Sequence, residues 1–139
     1  MKKLAFYAMA LMCVSSIGMV RSQAQTVGLK VNIPFSFNIQ EKVLPAGQYL
    51  ILAPQGGYLT IEGPDGTAAL AMTNPASGSQ PEGPGTVSFR CYGKRCFLSQ
   101  FWSARSETGQ QLAKCRLEKE LANERQQIAL ITLRGTVSQ

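Results

Sequence analysis

Apolar and polar residues alternate most regularly over residues 29–39. Six apolar side chains, each separated by one polar or proline residue, predict a strand with one buried face and one wet face. They are Leu29, Val31, Ile33, Phe35, Phe37 and Ile39. Pro34 lacks the N–H that a sheet ladder needs, so we expect this strand at a sheet edge or with a bulge at Pro34.

Turn residues divide the segments that follow. Clusters of Pro and Gly at residues 45–47, 54–57 and 63–66 separate predicted strands at residues 48–53, 58–62 and 67–73. Strands about ten residues apart are typical of an antiparallel small β-barrel or β-sandwich, here mainly β with about seven to eight strands. Residues 74–85 contain three Pro and three Gly without apolar periodicity, so we predict a flexible loop there.

Residues 86–92 and 95–103 are predicted to form a hairpin, because Gly93 and Lys94 suit a two-residue type II′ turn. The resulting register pairs Tyr92 with Arg95, Cys91 with Cys96, Phe89 with Leu98 and Val87 with Gln100. One face then carries Val87, Phe89, Cys91, Cys96, Leu98 and Trp102, and the other carries Arg90, Tyr92, Arg95, Phe97 and Phe101. Both faces are aromatic, so each of them needs a covering layer.

Residues 109–126 are predicted to form the one long helix, in the C-terminal half of the chain. Ala113, Leu117 and Leu121 recur at helical spacing, and Lys114–Glu118 and Arg116–Glu120 are opposite charges four residues apart. We expect this helix to pack on the sheet over Phe97 and Phe101, and a partner-binding helix is the alternative. Residues 128–133 are predicted to form the final strand.

Residues 1–24 have the pattern of a secretory signal peptide, which leaves residues 25–139 as a single β-rich domain. Two lysines precede an uncharged apolar stretch, and small side chains at positions 22 and 24 predict cleavage after Ala24. The alternative is an anchor that stays attached, although the stretch is short for a membrane span. Export predicts a periplasmic or extracellular location with no membrane span after cleavage.

The charge of the whole chain overstates that of the mature domain. The chain carries 14 Lys and Arg against 8 Asp and Glu. Three of the basic residues lie in the predicted signal peptide, so 11 basic and 8 acidic side chains leave a net charge of +3. A domain with so small a charge lacks the concentrated basic patch that phosphate binding requires, and we expect no nucleic-acid partner.

The chain contains no histidine, which excludes Ser-His-Asp and Cys-His catalysis and every His-ligated metal site. We therefore predict a non-enzymatic protein with no catalytic residues, no metal and no cofactor. The hairpin register favours a disulfide between Cys91 and Cys96 in an oxidising compartment, and two reduced thiols are the alternative. Cys115 lies between Lys114 and Arg116, whose charges favour thiol reactivity, so a thiol-dependent enzyme is the least favoured alternative.

One cluster of basic and aromatic residues is a candidate ligand-binding site. It comprises Arg90, Tyr92, Arg95, Phe97 and Phe101, all on one predicted hairpin face. Guanidinium hydrogen bonds and ring stacking suit an anionic or a sugar ligand. The alternative is a face packed under the helix, with the arginines reaching the rim.

Four segments resemble a family of small exported bacterial proteins of unknown function. They read VNIPFSFNI at 31–39, LPAGQY at 44–49, YGKRCFLSQFW at 92–102 and KCRLEKELA at 114–122. The resemblance covers most of the mature chain, and it implies a signal peptide, a compact mostly-β domain and no assigned activity. The chain departs from the family pattern at its cysteines, so a function built on them is not a family function.

These features predict an exported, non-enzymatic β-domain that binds a partner protein, an envelope component or a small ligand. A ligand-binding protein is expected to have a cavity between sheet and helix. The alternative is a purely structural cell-envelope protein, held in place by its helix and by a self-complementary edge at residues 29–39.

Overall fold

A computed structural model describes residues 28–54, 57–79, 83–104, 108–124 and 128–138. The predicted signal peptide and its cleavage site lie outside these residues. Within the described ranges, no helix has the length and hydropathy needed to cross a membrane.

The described residues form twelve strands and one α-helix, which confirms the mainly β prediction with a single helix. The strand count exceeds seven to eight because five of the strands span only three residues. The elements are β1 (Gly28–Ile33), β2 (Phe37–Ile39), β3 (Lys42–Leu44), β4 (Gly47–Leu52), β5 (Tyr58–Glu62), β6 (Ala68–Met72), β7 (Asn74–Ala76), β8 (Gly85–Tyr92), β9 (Arg95–Ser103), β10 (Gly109–Gln111), α1 (Arg116–Asn123), β11 (Ile128–Arg134) and β12 (Thr136–Ser138).

The strands form two sheets with open strand orders. The first sheet has the order β12-β1-β4-β5-β6, and the second has the order β11-β8-β9-β10-β7 with the β2–β3 hairpin beside β9. Neighbouring strands are antiparallel except β2 and β9, which are parallel. Of the two predicted architectures, the described chain therefore fits the sandwich and does not close into a barrel.

The alternation at residues 29–39 is confirmed as a burial pattern on β1, but residues 37–39 belong to a second strand, in which the polar Asn38 is buried as well. Leu29, Val31 and Ile33 on β1 are at most 2% exposed, and Phe37 and Ile39 on β2 are at most 3% exposed. The chain leaves the first sheet after β1 and enters the second at β2, with Pro34 between them. The expected edge or bulge at Pro34 is wrong, because β1 lies inside its sheet between β12 and β4.

The hairpin β8–β9 has the predicted turn, and Gly93 has the positive φ of 62° that the first position of a type II′ turn requires. Three predicted pairs are confirmed, Tyr92 with Arg95, Cys91 with Cys96 and Phe89 with Leu98. The fourth is wrong, because a bulge places Val87 opposite Phe101 and Ser88 opposite Gln100. Ser99 is the extra residue, and beyond it the two faces of β9 exchange.

Two predicted boundaries are wrong at the β10–β7 end of the second sheet. Residues 109–111 form β10 rather than the start of the helix, and residues 74–76 form β7 rather than part of a loop. The two strands pair with each other, and β10 also pairs with β9. Gly109 lies against the Trp102 ring, where an added Cβ would meet ring carbons at 2.4 Å. Pairing with β7 and β9 holds residues 109–111 as a strand, and the helix begins only at Arg116.

The core lies between the two sheets. β1, β4 and β5 contribute one side, and β2 together with the inward face of the β8–β9 hairpin contributes the other. Phe37 makes edge-to-face contacts with both Tyr49 and Phe89, at ring-centroid distances of 5.1 and 5.5 Å. Each large apolar side chain buried in this way contributes about 2 kcal/mol, and the Phe37–Tyr49 contact joins the two sheets.

The last of the crossings between the sheets is at Gly135, between β11 and β12. Its N–H donates to the carbonyl oxygen of Gly85, at 3.1 Å. A Cβ at position 135 would lie 2.5 Å from Leu29 Cγ and 2.7 Å from the Lys30 carbonyl oxygen. Only glycine fits this approach, so the chain passes from one sheet to the other without disturbing β1.

The predicted disulfide is present between Cys91 and Cys96, whose Cα atoms are 4.0 Å apart. Both cysteines belong to the core face of the hairpin. Because the bridge closes a loop of only a few residues, we expect its reduction to lower the free energy of unfolding by about 2 kcal/mol. Urea unfolding of the oxidised and reduced protein measures this difference.

Cys115→Ser is the matched control, because Cys115 is the free thiol and its loss leaves the bridge intact. The control should show the same reduction effect as the wild type. An unreduced mass that lacks the two-hydrogen deficit, or an unchanged urea midpoint on reduction, contradicts the prediction.

Candidate functional site

The outer face of the β8–β9 hairpin holds a buried polar network. Glu118 of α1 is 2% exposed and forms an ion pair with Arg90, whose Nε lies 2.5 Å from Oε1. The Tyr92 hydroxyl donates to the same oxygen at 3.1 Å. Arg90 also donates to Ser99 Oγ at 2.9 Å and to the Leu112 carbonyl oxygen at 3.4 Å. One arginine therefore connects both hairpin strands to the segment that begins the helix.

Helix α1 contacts the sheet through this carboxylate more than through apolar side chains. Glu118 is its one buried residue, while Leu117 and Leu121 are half-buried and Ala113 is exposed. The helix begins after Cys115, whose backbone is extended and whose Sγ contacts the Gln40 carbonyl oxygen at 3.4 Å. The predicted packing of the helix on the sheet is confirmed, but the helix does not cover Phe101, which faces the core, and its buried residue is polar.

The two predicted ion pairs of the helix differ in outcome. Arg116 and Glu120 pair at 3.1 Å with largely exposed side chains, as their spacing predicts. Glu118 pairs with Arg90 of the sheet instead of with Lys114. Exposed pairs contribute little to stability, whereas a buried carboxylate without its partner is costly. The pair that matters for the helix position is therefore the one that spans the two layers.

Burial raises the pKa of the Tyr92 phenol, and the neighbouring Glu118 carboxylate raises this pKa further by its charge and its hydrogen bond, while Arg90 opposes the shift. The phenol consequently stays protonated and donates to Glu118 across the physiological pH range. Burial also raises the pKa of Tyr49, whose hydroxyl donates to the Pro45 carbonyl oxygen in the first sheet.

The five predicted ligand-binding residues do not share one surface. Arg90, Tyr92 and Phe97 lie together on the outer face, and the rings of Tyr92 and Phe97 meet edge to face at 5.9 Å. Helix and network cover them, as the packed alternative predicts. Phe101 belongs to the core, because the bulge turns it to the other face. Arg95 is the exposed member, at the hairpin turn.

A groove lies around Arg95 where three elements meet. One hollow of about 500 Å³ lies between the hairpin turn and helix α1, and one of about 360 Å³ lies between the turn and the β2–β3 hairpin. Both hollows are lined by Lys94, Arg95 and Leu117, and we call the joined feature the hairpin groove. Two smaller hollows, of about 220 and 330 Å³, share no lining residue with it.

The hairpin groove presents apolar side chains between charges of both signs. Leu117 and Leu121 are half-buried in its helix wall, and Val43 is 64% exposed in its β3 wall. Lys94 and Arg95 supply positive charge, and the opposing walls carry acidic residues, namely Glu41, Glu120 and Glu124. An open, amphipathic surface of this kind suits contact with a protein segment better than enclosure of a small molecule.

Sequence reasoning missed the importance of Glu118 and Val43. The pairing of Glu118 with Arg90 joins residues 28 positions apart, and no local pattern indicates it. One signal was available, because Glu118 lies beside Leu117 near the expected buried stripe. Val43 follows Lys42 in a three-residue strand whose outward side no alternation marks.

Within the described residues, no group of three or more His, Cys, Asp or Glu side chains is placed to hold a metal ion. Comparisons of the chain with protein-family models, with curated proteins and with solved structures found no match. The candidate function therefore depends on the geometry of the hairpin groove and the network beneath it.

Glu118→Gln should lower the free energy of unfolding by about 3 kcal/mol, because it leaves the Arg90 guanidinium without its counter-charge under the helix. Urea unfolding measures the loss. The matched control is Glu120→Gln on the same helix, whose exposed pair predicts a change below about 0.5 kcal/mol. Equal effects of the two substitutions would show that the buried pair does not hold the helix.

Tyr92→Phe should lower the free energy of unfolding by about 1 kcal/mol at neutral pH, because the hydrogen bond to Glu118 is lost. The raised pKa of Tyr92 means that the unfolded phenol releases its proton at lower pH than the folded one. Stability from this group is thus complete below its ordinary pKa and declines as the pH rises above it. The difference between wild type and variant should narrow as the pH rises from about 9 to about 11 in urea titrations. A difference that stays constant or widens contradicts the assignment.

Proposed function

We propose that the protein is an exported, non-enzymatic binding domain that recognises a partner protein through the hairpin groove. The observation that carries this proposal is the meeting of two open hollows at Lys94, Arg95 and Leu117. Rim charges of both signs give a partner orientation, and the apolar walls give contact area. The signal peptide and cleavage after Ala24 form part of the proposal, and the Cys91–Cys96 disulfide is compatible with an oxidising compartment.

Two alternatives from the sequence have less support than the hairpin groove. A small anionic or sugar ligand at the predicted cluster has little support, because Tyr92, Phe97 and Phe101 are each at most 2% exposed. A structural envelope protein that assembles through residues 29–39 also has little support, because β1 has strands on both sides. The hairpin groove provides a concave surface with apolar walls and charged residues at its rim, which a partner could contact.

Site-specific photo-crosslinking in the cells that export the protein tests this proposal. A photoreactive residue replaces Val43 or Lys94 in the groove, and Leu70 is the matched control because it is 62% exposed against 64% for Val43. We expect one dominant protein adduct from both groove positions and none from Leu70. Arg95→Glu should weaken the adduct at position 43, since it reverses a rim charge without touching the core.

Four results would count against the proposal. The absence of an adduct at both groove positions, or an equal adduct at Leu70, argues against recognition at the groove. Extra mass in the native spectrum of the purified protein that disappears on denaturation points to a small ligand instead. A purified protein whose mass begins at Met1 rather than Gln25 contradicts the proposed export.

A further inference from the structure

The open edges of the two sheets differ in how they are protected against added strands. An edge strand presents unpaired backbone N–H and C=O groups to solvent. Proteins commonly prevent further strand pairing there with short strands, proline or lysine. β12 and β7 are edge strands of three residues each, and β7 contains Pro75. β6 is longer, but Lys42 donates from its Nζ to the Ala68 carbonyl oxygen at 2.6 Å. Three of the four edges in these strand orders are therefore blunted.

β11 is the edge without such protection in the described part of the chain. It spans seven residues, has no proline, and carries no charge before Arg134. Leu130 is 74% exposed and Ile128 is 49% exposed. Ile131 and Leu133 point toward the core but stay half-buried, because β11 has β8 on one side and no described strand on the other.

The hydrogen-bonding pattern identifies the backbone groups of β11 that face outward. Gly135 donates its N–H to Gly85, and antiparallel ladders alternate between bonded and non-bonded pairs. The bonded residues of β11 are consequently 129, 131 and 133, which pair with 91, 89 and 87 of β8. The N–H and C=O groups of Ile128, Leu130, Thr132 and Arg134 therefore point away from β8.

We infer that a second copy of this chain pairs antiparallel with β11, about a two-fold axis at Ile131. In this register Leu130 lies opposite the second copy's Thr132, and Ile128 lies opposite its Arg134. Each of these four outward-facing residues then donates one hydrogen bond and accepts one. No charge meets a like charge, because each Arg134 faces an uncharged Ile128. The pairing is self-complementary, as a two-fold interface must be.

Side-chain burial favours the same occupant. The second copy's strand would lie beside Ile131 and Leu133 and cover the sides that the edge leaves open. On the outer face it would bring Leu130 of each copy beside Thr132 of the other, so the most exposed leucine of the strand loses water contact. The inference is independent of the hairpin groove, which lies at the turn of the hairpin and not at β11.

Sedimentation velocity of the full exported chain over a range of concentrations tests this inference. The wild type should show a dimer that grows with concentration, and the amides of Leu130 and Thr132 should exchange more slowly as the dimer forms. Leu130→Pro removes one backbone N–H that points away from β8, at a residue whose side chain is exposed. It removes no hydrogen bond to β8, so the monomer keeps its fold. We expect this variant to lose the dimer over the same concentrations.

Leu70→Pro is the matched control on the protected edge. The bonds from Thr73 to Gly57 and from Gly63 to Thr67 place the N–H of Leu70 on the open side of β6, and its side chain is 62% exposed. This variant should keep the wild-type dimer. A wild type that stays monomeric, a dimer that survives Leu130→Pro, or one that Leu70→Pro abolishes overturns the inference. So does a dimer that vanishes in Cys115→Ser, because it is then a disulfide product.

Discussion

Neighbouring residues of a strand point to opposite faces, and in the β8–β9 hairpin both faces are buried. The inward face supplies the core with Phe89, Leu98 and the disulfide, while the outward face carries Arg90 and Tyr92 under the helix. The bulge at Ser99 lets β9 serve both the apolar inward face and the polar outward face. It turns Phe101 into the core and leaves the Ser99 hydroxyl to accept a bond from Arg90. One inserted residue thus completes the apolar layer and the polar layer together.

The helix illustrates how a small β-domain positions a helix with little apolar surface to bury. Leu117 and Leu121 are only half-buried, so burial of apolar area alone is a weak restraint on the angle of α1. The Arg90–Glu118 pair is directional, and the Tyr92 hydroxyl and Ser99 complete its hydrogen bonds. Buried ion pairs are no great source of stability, but they select one arrangement among many. The pair joins α1 to the hairpin, and these two elements form walls of the hairpin groove.

Local patterns predicted the features that depend on neighbouring residues. The alternation of apolar and polar residues located β1 and β2. The Gly93-Lys94 turn predicted the β8–β9 pairs nearest to it, and with them the Cys91–Cys96 disulfide. Local patterns did not predict the features that depend on pairing between distant segments. The pairing of β7 with β10 makes strands of residues with little strand propensity, and the bulge redirects Phe101 without any turn signal. The candidate site was the feature least predictable from the sequence, because the hairpin groove combines three elements that only the tertiary fold brings together.

The crossing at Gly135 has a consequence for the order in which the protein takes shape. Residues 128–138 supply an edge strand to each sheet, because β11 joins β8 and β12 joins β1. Neither sheet is complete until residues 128–138 have paired, and β12 lies more than a hundred positions from its partner β1. Closing so long a loop is slow, because its entropy is lost before the contacts form. Both sheets therefore depend on the same eleven-residue stretch, 128–138, and the loss of its pairing would leave each sheet without an edge strand.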